Sequence, residues 1–177
     1  RRDERMRLSE WRVTVRGHRV MTARVAAAYE PALAVLGASA DPVAFVAWGD
    51  DPDTRYTIMA ASDGGLIIVN VRVNMPQEGP RAAGKLIRWS RVQIGELAVE
   101  AHHGHRYLTT QMEGYILQGV DDSADQIGAW VAHVFARIDG RVSDVAAATT
   151  GRRTRTPKPG ASSRASRRSA APGAAKS

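Results

Sequence analysis

The chain has 177 residues, 44% hydrophobic and 24% charged, with no cysteine and a formal net charge of +7 from 25 basic and 18 acidic side chains. That length corresponds to about one domain able to bury a real core, and the missing cysteines exclude a disulfide framework or a thiolate zinc site. No apolar run approaches the roughly 18 residues of a bilayer span, and the arginine-rich start lacks an apolar signal core, so a cytoplasmic location is expected.

The charge is unevenly spread. Residues 151–177 carry eight basic side chains and no acidic one, and the first 24 residues carry eight arginines against Asp3, Glu4 and Glu10. Residues 25–150 are acidic, at a net −6. This divides the chain into an N-terminal arm (1–20), a single α+β domain (21–147) and a disordered basic tail (148–177), whose proline, glycine, serine and alanine cannot build a core. Arginine outnumbers lysine 22 to 3, a bias typical of GC-rich bacterial genomes that inflates arginine without selection for binding.

In chain order, residues 1–20 alternate arginine with Trp11, Val13 and Val15 and fit a short strand or a frayed arm, with Met6 or Met21 as candidate natural starts. From Thr22, Val25, Tyr29, Ala32 and Leu36 share a helical face that ends at Gly37. Pro31 inside this helix predicts a kink or two short helices, because it lacks a donor and disfavours helical geometry at Glu30. Residues 42–49 are apolar on both faces and read as a central strand, closing at the turn Asp50-Asp51-Pro52-Asp53. Strands RYTIMAAS and LIIVNVRVN follow, the latter with Ile67, Val69, Val71 and Val73 opposite Asn70, Arg72 and Asn74. Asp- and Gly-bearing connections make these three an antiparallel meander.

Residues 75–84 read as a loop, followed by four further short strands, KLIRWSR, ELAVEAH, RYLTTQ and YILQGV, with a His-Gly-His turn between the middle pair. Ser123 and Gln126 stand in a capping-box spacing ahead of the stripe Ile127, Val131, Val134 and Ile138, which predicts a C-terminal helix ending at Asp139-Gly140.

Between Pro42 and Gly140, in the words DGGLIIVNVRV and KLIRWSRVQIGELAVE, the chain resembles the pleckstrin-homology-like fold of bacterial proteins. The resemblance implies a seven-stranded antiparallel, partly open β-barrel capped by the 123–139 helix, serving to bind lipid headgroups, peptides or proteins. Headgroup binding is not carried over, because the first hairpin, where members bear basic residues, is Asp50-Asp51-Pro52-Asp53 here. A second resemblance, to type III secretion chaperones, requires a long helix within 78–92, against which Gly79, Pro80 and Gly84 argue.

Candidate chemistry is sparse. Gly79 to Lys85 spells GxxxxGK, but Leu86 replaces the magnesium-binding hydroxyl and opens a strand, so an ordinary loop is the better reading. His102, His103 and His105 are the weak metal candidates; adjacent residues of a strand face opposite ways, and HHGHR also suits a solvated hairpin tip. Asp50/Asp51 and Asp121/Asp122 are explained by a turn and a helix N-terminus. No GxSxG, HExxH or cysteine nucleophile is present, so no catalytic residue and no cofactor is assigned. The four tryptophans lie on different elements and are assigned to packing.

Arg72, Arg81, Lys85, Arg88 and Arg91 form the basic cluster of the domain and its candidate binding site. Arg152, Arg153, Arg155, Arg164, Arg167 and Arg168, with Lys158 and Lys176, suit nonspecific contact with nucleic acid or the ribosome through counterion release. The expected function is therefore a non-enzymatic module that binds a protein partner through the domain and a polyanion through the tail. The alternatives are a chaperone-like adaptor with a passive tail, and an enzyme assembled from dispersed polar residues.

Overall fold

The computed structural model describes residues 6–13, 21–51 and 54–140; the expected basic tail, with Arg152, Arg153, Arg155, Arg164, Arg167 and Arg168, lies outside them, as do Val15 of the arm and Pro52-Asp53 of the first turn. The run from Gly65 to Arg72 forms β3, and its inner half is apolar on both faces. Ile67, Val69 and Val71 face one way while Leu66 and Ile68 face the other, all fully buried. A strand of this kind needs cover on both sides, and the other elements supply it.

Four antiparallel strands form the first sheet in the order β1 (Phe45–Asp51), β2 (Arg55–Ala61), β3 and β4 (Arg81–Arg88). The three-strand meander expected from the sequence is present and gains β4. A 3-10 turn at Trp89–Arg91 leads into a second antiparallel sheet of β5 (Ile94–His102), β6 (His105–Met112) and β7 (Tyr115–Val120). The seven strands thus divide four and three, and no closed barrel is formed among the described residues. The fold is α+β, with two N-terminal helices and one C-terminal helix.

One face of the first sheet packs on α1 (Leu8–Val13) and α2 (Ala23–Val35). Leu8, Val25, Tyr29 and Leu33 meet Tyr56, Ile58, Ile67, Val69 and Val71 there. The arm read as strand or frayed chain therefore contains a helix. Its capture is explained by polar contacts that hydropathy does not signal. The Ser9 backbone N–H and hydroxyl donate to the two Asp41 carboxylate oxygens at 2.8 and 2.7 Å, and the Leu8 N–H donates to the Pro42 carbonyl at 3.1 Å.

The helix α2 is continuous across Pro31, against the expected break. Pro31 is exposed, and so is Ala27, the residue whose carbonyl loses its partner; water can replace the missing bond on that side. The opposite face of the sheet packs on the second sheet and on α3 (Asp122–Ile138), where Met59, Leu66 and Ile68 meet Leu108, Met112, Leu117, Ile127, Trp130 and Val134. The closing helix lies where its stripe predicts, but the capping box is not made. Asp121 takes the N-cap position, and the Ser123 hydroxyl turns back to the N–H and carbonyl of Val120 at 2.7 and 2.8 Å. Close approach between β7 and this helix requires Gly119, where a Cβ would lie 2.6 Å from the Ser123 backbone.

Two further corrections concern the first sheet. Residues 42–49 do not form a central strand, because β1 is an edge of the sheet. Its apolar character reflects cover on both faces, with Phe45 and Ala47 on the helix side and Val46 and Trp48 on the α3 side. The loop expected over 75–84 ends at Pro80, since Arg81 to Gly84 already pair with β3. Gly84 is there for packing: a Cβ would stand 2.8 Å from Leu36 of the segment closing α2.

Burial pushes the Tyr29 hydroxyl from 10.0 up to about 12, and the neighbouring Arg12 partly offsets the rise. The folded state therefore holds this proton more tightly than the unfolded chain. The associated stability is fully present below pH 10 and is lost as pH rises through 10 to about 12. Denaturant titrations of wild type and Tyr29→Phe at pH 8 and pH 11 will show a smaller loss at high pH in the variant; equal losses in both would exclude this residue as the cause.

Candidate functional site

Two regions of the described surface combine geometry with unused interaction capacity. The first follows from the position of β1. In the β1–β2 ladder the Ala61 N–H donates to the Ala44 carbonyl, and the Val73 N–H donates to Thr54 across β2–β3. The alternation of an antiparallel pair then turns Val46 and Trp48 toward β2 and leaves the N–H and C=O of Phe45 and Ala47 pointing away from the sheet. Beside this edge lies a groove of about 630 Å³ between β1 and α3. Its walls include Trp11, Val43, Phe45, Ala129, Trp130, His133 and Ala136. Trp130 stacks on His133 at a centroid distance of 6.3 Å, and its indole N–H is buried with no hydrogen-bond acceptor among the described residues. The β1 wall of the groove escapes sequence reasoning because that strand reads as internal, and the α1 and α3 walls meet it only through the tertiary fold.

The second region is the outer end of the first sheet, on the face toward the second sheet. Register sets its rows across β2, β3 and β4. Ala61, Leu66 and Ile87 form an apolar row, followed by Met59, Ile68 and Lys85, then Thr57, Asn70 and Ala83, and finally Arg55, Arg72 and Arg81. Tyr115 of β7 reaches the third row, where its hydroxyl accepts from the Asn70 side-chain amide at 3.4 Å and its ring meets Trp48 edge-on at 5.7 Å.

The basic cluster read from the sequence is therefore partly assembled. Arg72, Arg81 and Lys85 share this face. Arg88 lies on the opposite face of the same strand beside Gly64, and Arg91 ends the 3-10 turn. Arg55 was missed; its signal is that a hairpin turning at Asp63-Gly64 brings it opposite Arg72. Elsewhere Arg106 pairs with Asp125 at 2.6 Å and Arg137 with Asp63 at 3.2 Å, whereas no ion pair reaches Arg55, Arg72, Arg81 or Lys85 among the described residues.

The remaining candidates resolve locally. The GxxxxGK string enters β4 and does not precede a helix. His103 and Gly104, with φ of 50° and 79°, form the two-residue turn between the paired His102 and His105. The rings of His102 and His103 approach to 3.9 Å between centroids, tilted by 48°, but His105 is turned to Asp121, with Nδ1 2.7 Å from its carboxylate. The Arg106 backbone N–H at 3.0 Å, then the His105 ring, hold the Asp121 carboxyl below its usual pKa. No group of three or more metal-ligating side chains converges among the described residues. Asp122 and Asp125 lie in the first turn of α3, where negative charge faces the helix dipole favourably. Trp11, Trp48, Trp89 and Trp130 all pack in the two cores.

Comparison with protein-family models, with curated proteins and with solved structures finds no match. The site must be judged on its own geometry. Because Asp121 occupies the His105 ring, one equivalent of zinc is expected to leave the melting temperature of the untagged protein unchanged; a rise of several degrees would assign a metal to the hairpin.

Proposed function

We propose that this chain is a non-enzymatic binding module whose folded part captures an extended apolar segment of a protein partner along the free edge of β1. The observation that carries this reading is the coincidence of outward backbone donors and acceptors at Phe45 and Ala47 with the apolar groove under α3. An added strand satisfies such an edge through its own backbone, while alternate side chains enter the groove. Trp130 and His133 line the same wall.

The order of four strands, three strands and a closing helix supports a pleckstrin-homology-like reading of Pro42 to Gly140, with the two sheets as walls of a partly open barrel. In that reading the module acts in the cytoplasm and needs no cofactor. The chaperone-like alternative is less favoured, since residues 78–92 hold a loop, β4 and a 3-10 turn where its layout requires a long helix.

The groove is tested by selecting extended eight-residue peptides on the full chain and mapping amide shifts. Shifts are expected over 43–47 and 126–136. Ala47→Pro removes an outward N–H without touching the β1–β2 ladder, a tolerated change on an edge strand, and Ala129→Glu places a charge in the groove. Each is expected to weaken binding at least about tenfold, near 1.4 kcal/mol. Unchanged affinity in both variants would sink the proposal.

A second activity rests on composition. Eight cations in residues 151–177 without an acid supply the counterion-release attraction that dominates nonspecific nucleic-acid affinity. Deleting 151–177 is expected to weaken binding to RNA and DNA at low salt, read by gel shift; an undiminished shift would leave the tail passive.

A further inference from the structure

We infer that the row Arg55, Arg72 and Arg81 is a second, sheet-borne site for the phosphodiester backbone of a single-stranded nucleic acid, distinct from both the groove and the tail. The register carries the inference. Arg55 opposes Arg72, and Arg72 opposes Arg81, on three adjacent strands. The hydrogen bonds that flank the row make the first a non-hydrogen-bonded pair and the second a hydrogen-bonded one. Three guanidinium groups are therefore rooted at Cα spacings of about 4.5 and 5.5 Å.

Like charges directly opposite one another weaken a sheet. All three side chains are exposed, and none forms an ion pair or hydrogen bond among the described residues. The arrangement opposes stability and leaves its charge unused. Codon bias explains why arginine replaces lysine, but it does not explain three arginines in one cross-strand row.

Several features favour a nucleic-acid strand over other anions. The row is linear and about 10 Å long by the strand spacing, too extended for one phosphate and suited to successive ones. Guanidinium forks match phosphate oxygens bidentately and stack on bases. Next to the row, the exposed Asn70 offers a polar side chain, and the half-buried Tyr115 and Trp48 offer ring surface of the kind on which unpaired bases stack. Lys85 extends the positive surface along β4 on the same face.

The test uses the full chain, a fluorescein-labelled twelve-nucleotide oligouridine and anisotropy across a salt series. Each phosphate contact contributes about 0.7 to the slope of log affinity against log salt for a single strand. The triple variant Arg55→Gln, Arg72→Gln, Arg81→Gln is expected to flatten the slope by about 2, and Arg72→Gln alone by about 0.7. Removing the opposed charges is also expected to raise the melting temperature by about 1 to 3 °C, which separates lost binding from lost folding. A slope unchanged in either variant overturns the site. Tighter row-dependent binding to inorganic tripolyphosphate, to a polyglutamate peptide or to vesicles carrying phosphorylated inositol lipid would overturn the choice of nucleic acid. Deleting 151–177 is expected to lower the slope by a separate amount, so failure of the tail and failure of the row are distinguishable.

Discussion

The burial of β2 and β3 on both faces is the constraint from which the rest of the architecture follows. Tyr56, Ile58 and Ala60 point to one side and Met59 to the other, and β3 repeats the division with Ile67, Val69 and Val71 against Leu66 and Ile68. Leaving either set in water would forfeit about 1.5 to 3 kcal/mol for each large side chain. On one side α2 alone spans β3 and β4, and α1 is recruited, anchored through Ser9 and Asp41, to bring Leu8 and Trp11 over β2. On the other side, the second sheet and α3 cover the apolar rows, and Tyr115 reaches the first polar row. The sheet beyond that point is polar and then cationic, so the position of the arginine row is set by where the cover stops.

An open pair of sheets also leaves edges, and edges invite unwanted pairing unless charge or distortion blunts them. Edge strand β4 carries Arg81, Lys85 and Arg88, and edge strand β5 carries Glu96 and Glu100. The far end of β1 has an irregularity between Gly49 and Asp51 and two aspartates in sequence. Residues 43 to 47 have neither device. That stretch, Val-Ala-Phe-Val-Ala, is an edge without either device, and it borders the apolar groove. An uncharged edge that lies beside a concavity has the character of a binding edge.

Periodicity carried most of the fold. The alternation in residues 66 to 73, the stripe from Ile127 to Ile138 and the glycine-bearing turns fix strands and helix because each reflects a buried face or a special backbone angle within one element. What periodicity cannot report is how elements pair. Edge and centre differ only in a strand's neighbours, so an apolar 42–49 looked internal. Helix α1 is held by a carboxylate more than thirty residues away, which no local pattern encodes. Gly84 reads as loop punctuation, whereas its role is to let Leu36 approach a strand. The basic cluster was half legible for the same reason: Arg72, Arg81 and Lys85 are close in sequence, but Arg55 joins them only through register, and Arg88 leaves them by strand parity.

Register also decides between the two explanations of the chain's arginine. A mutational bias changes which cation fills a surface position and is indifferent to what lies across the strand. Under bias alone, selection for stability acts unopposed on each position, and facing arginines are removed or acquire partners. Arg106 and Arg137 look like the outcome of that process, each lying against a carboxylate. Arg55, Arg72 and Arg81 have no such partner among the described residues. The domain between residues 25 and 150 is acidic by six charges, yet among the described residues no carboxylate forms an ion pair with the row. A row of three exposed arginines concentrates its field at the uncovered end of the sheet, where an anionic strand lying across β2 to β4 would meet it.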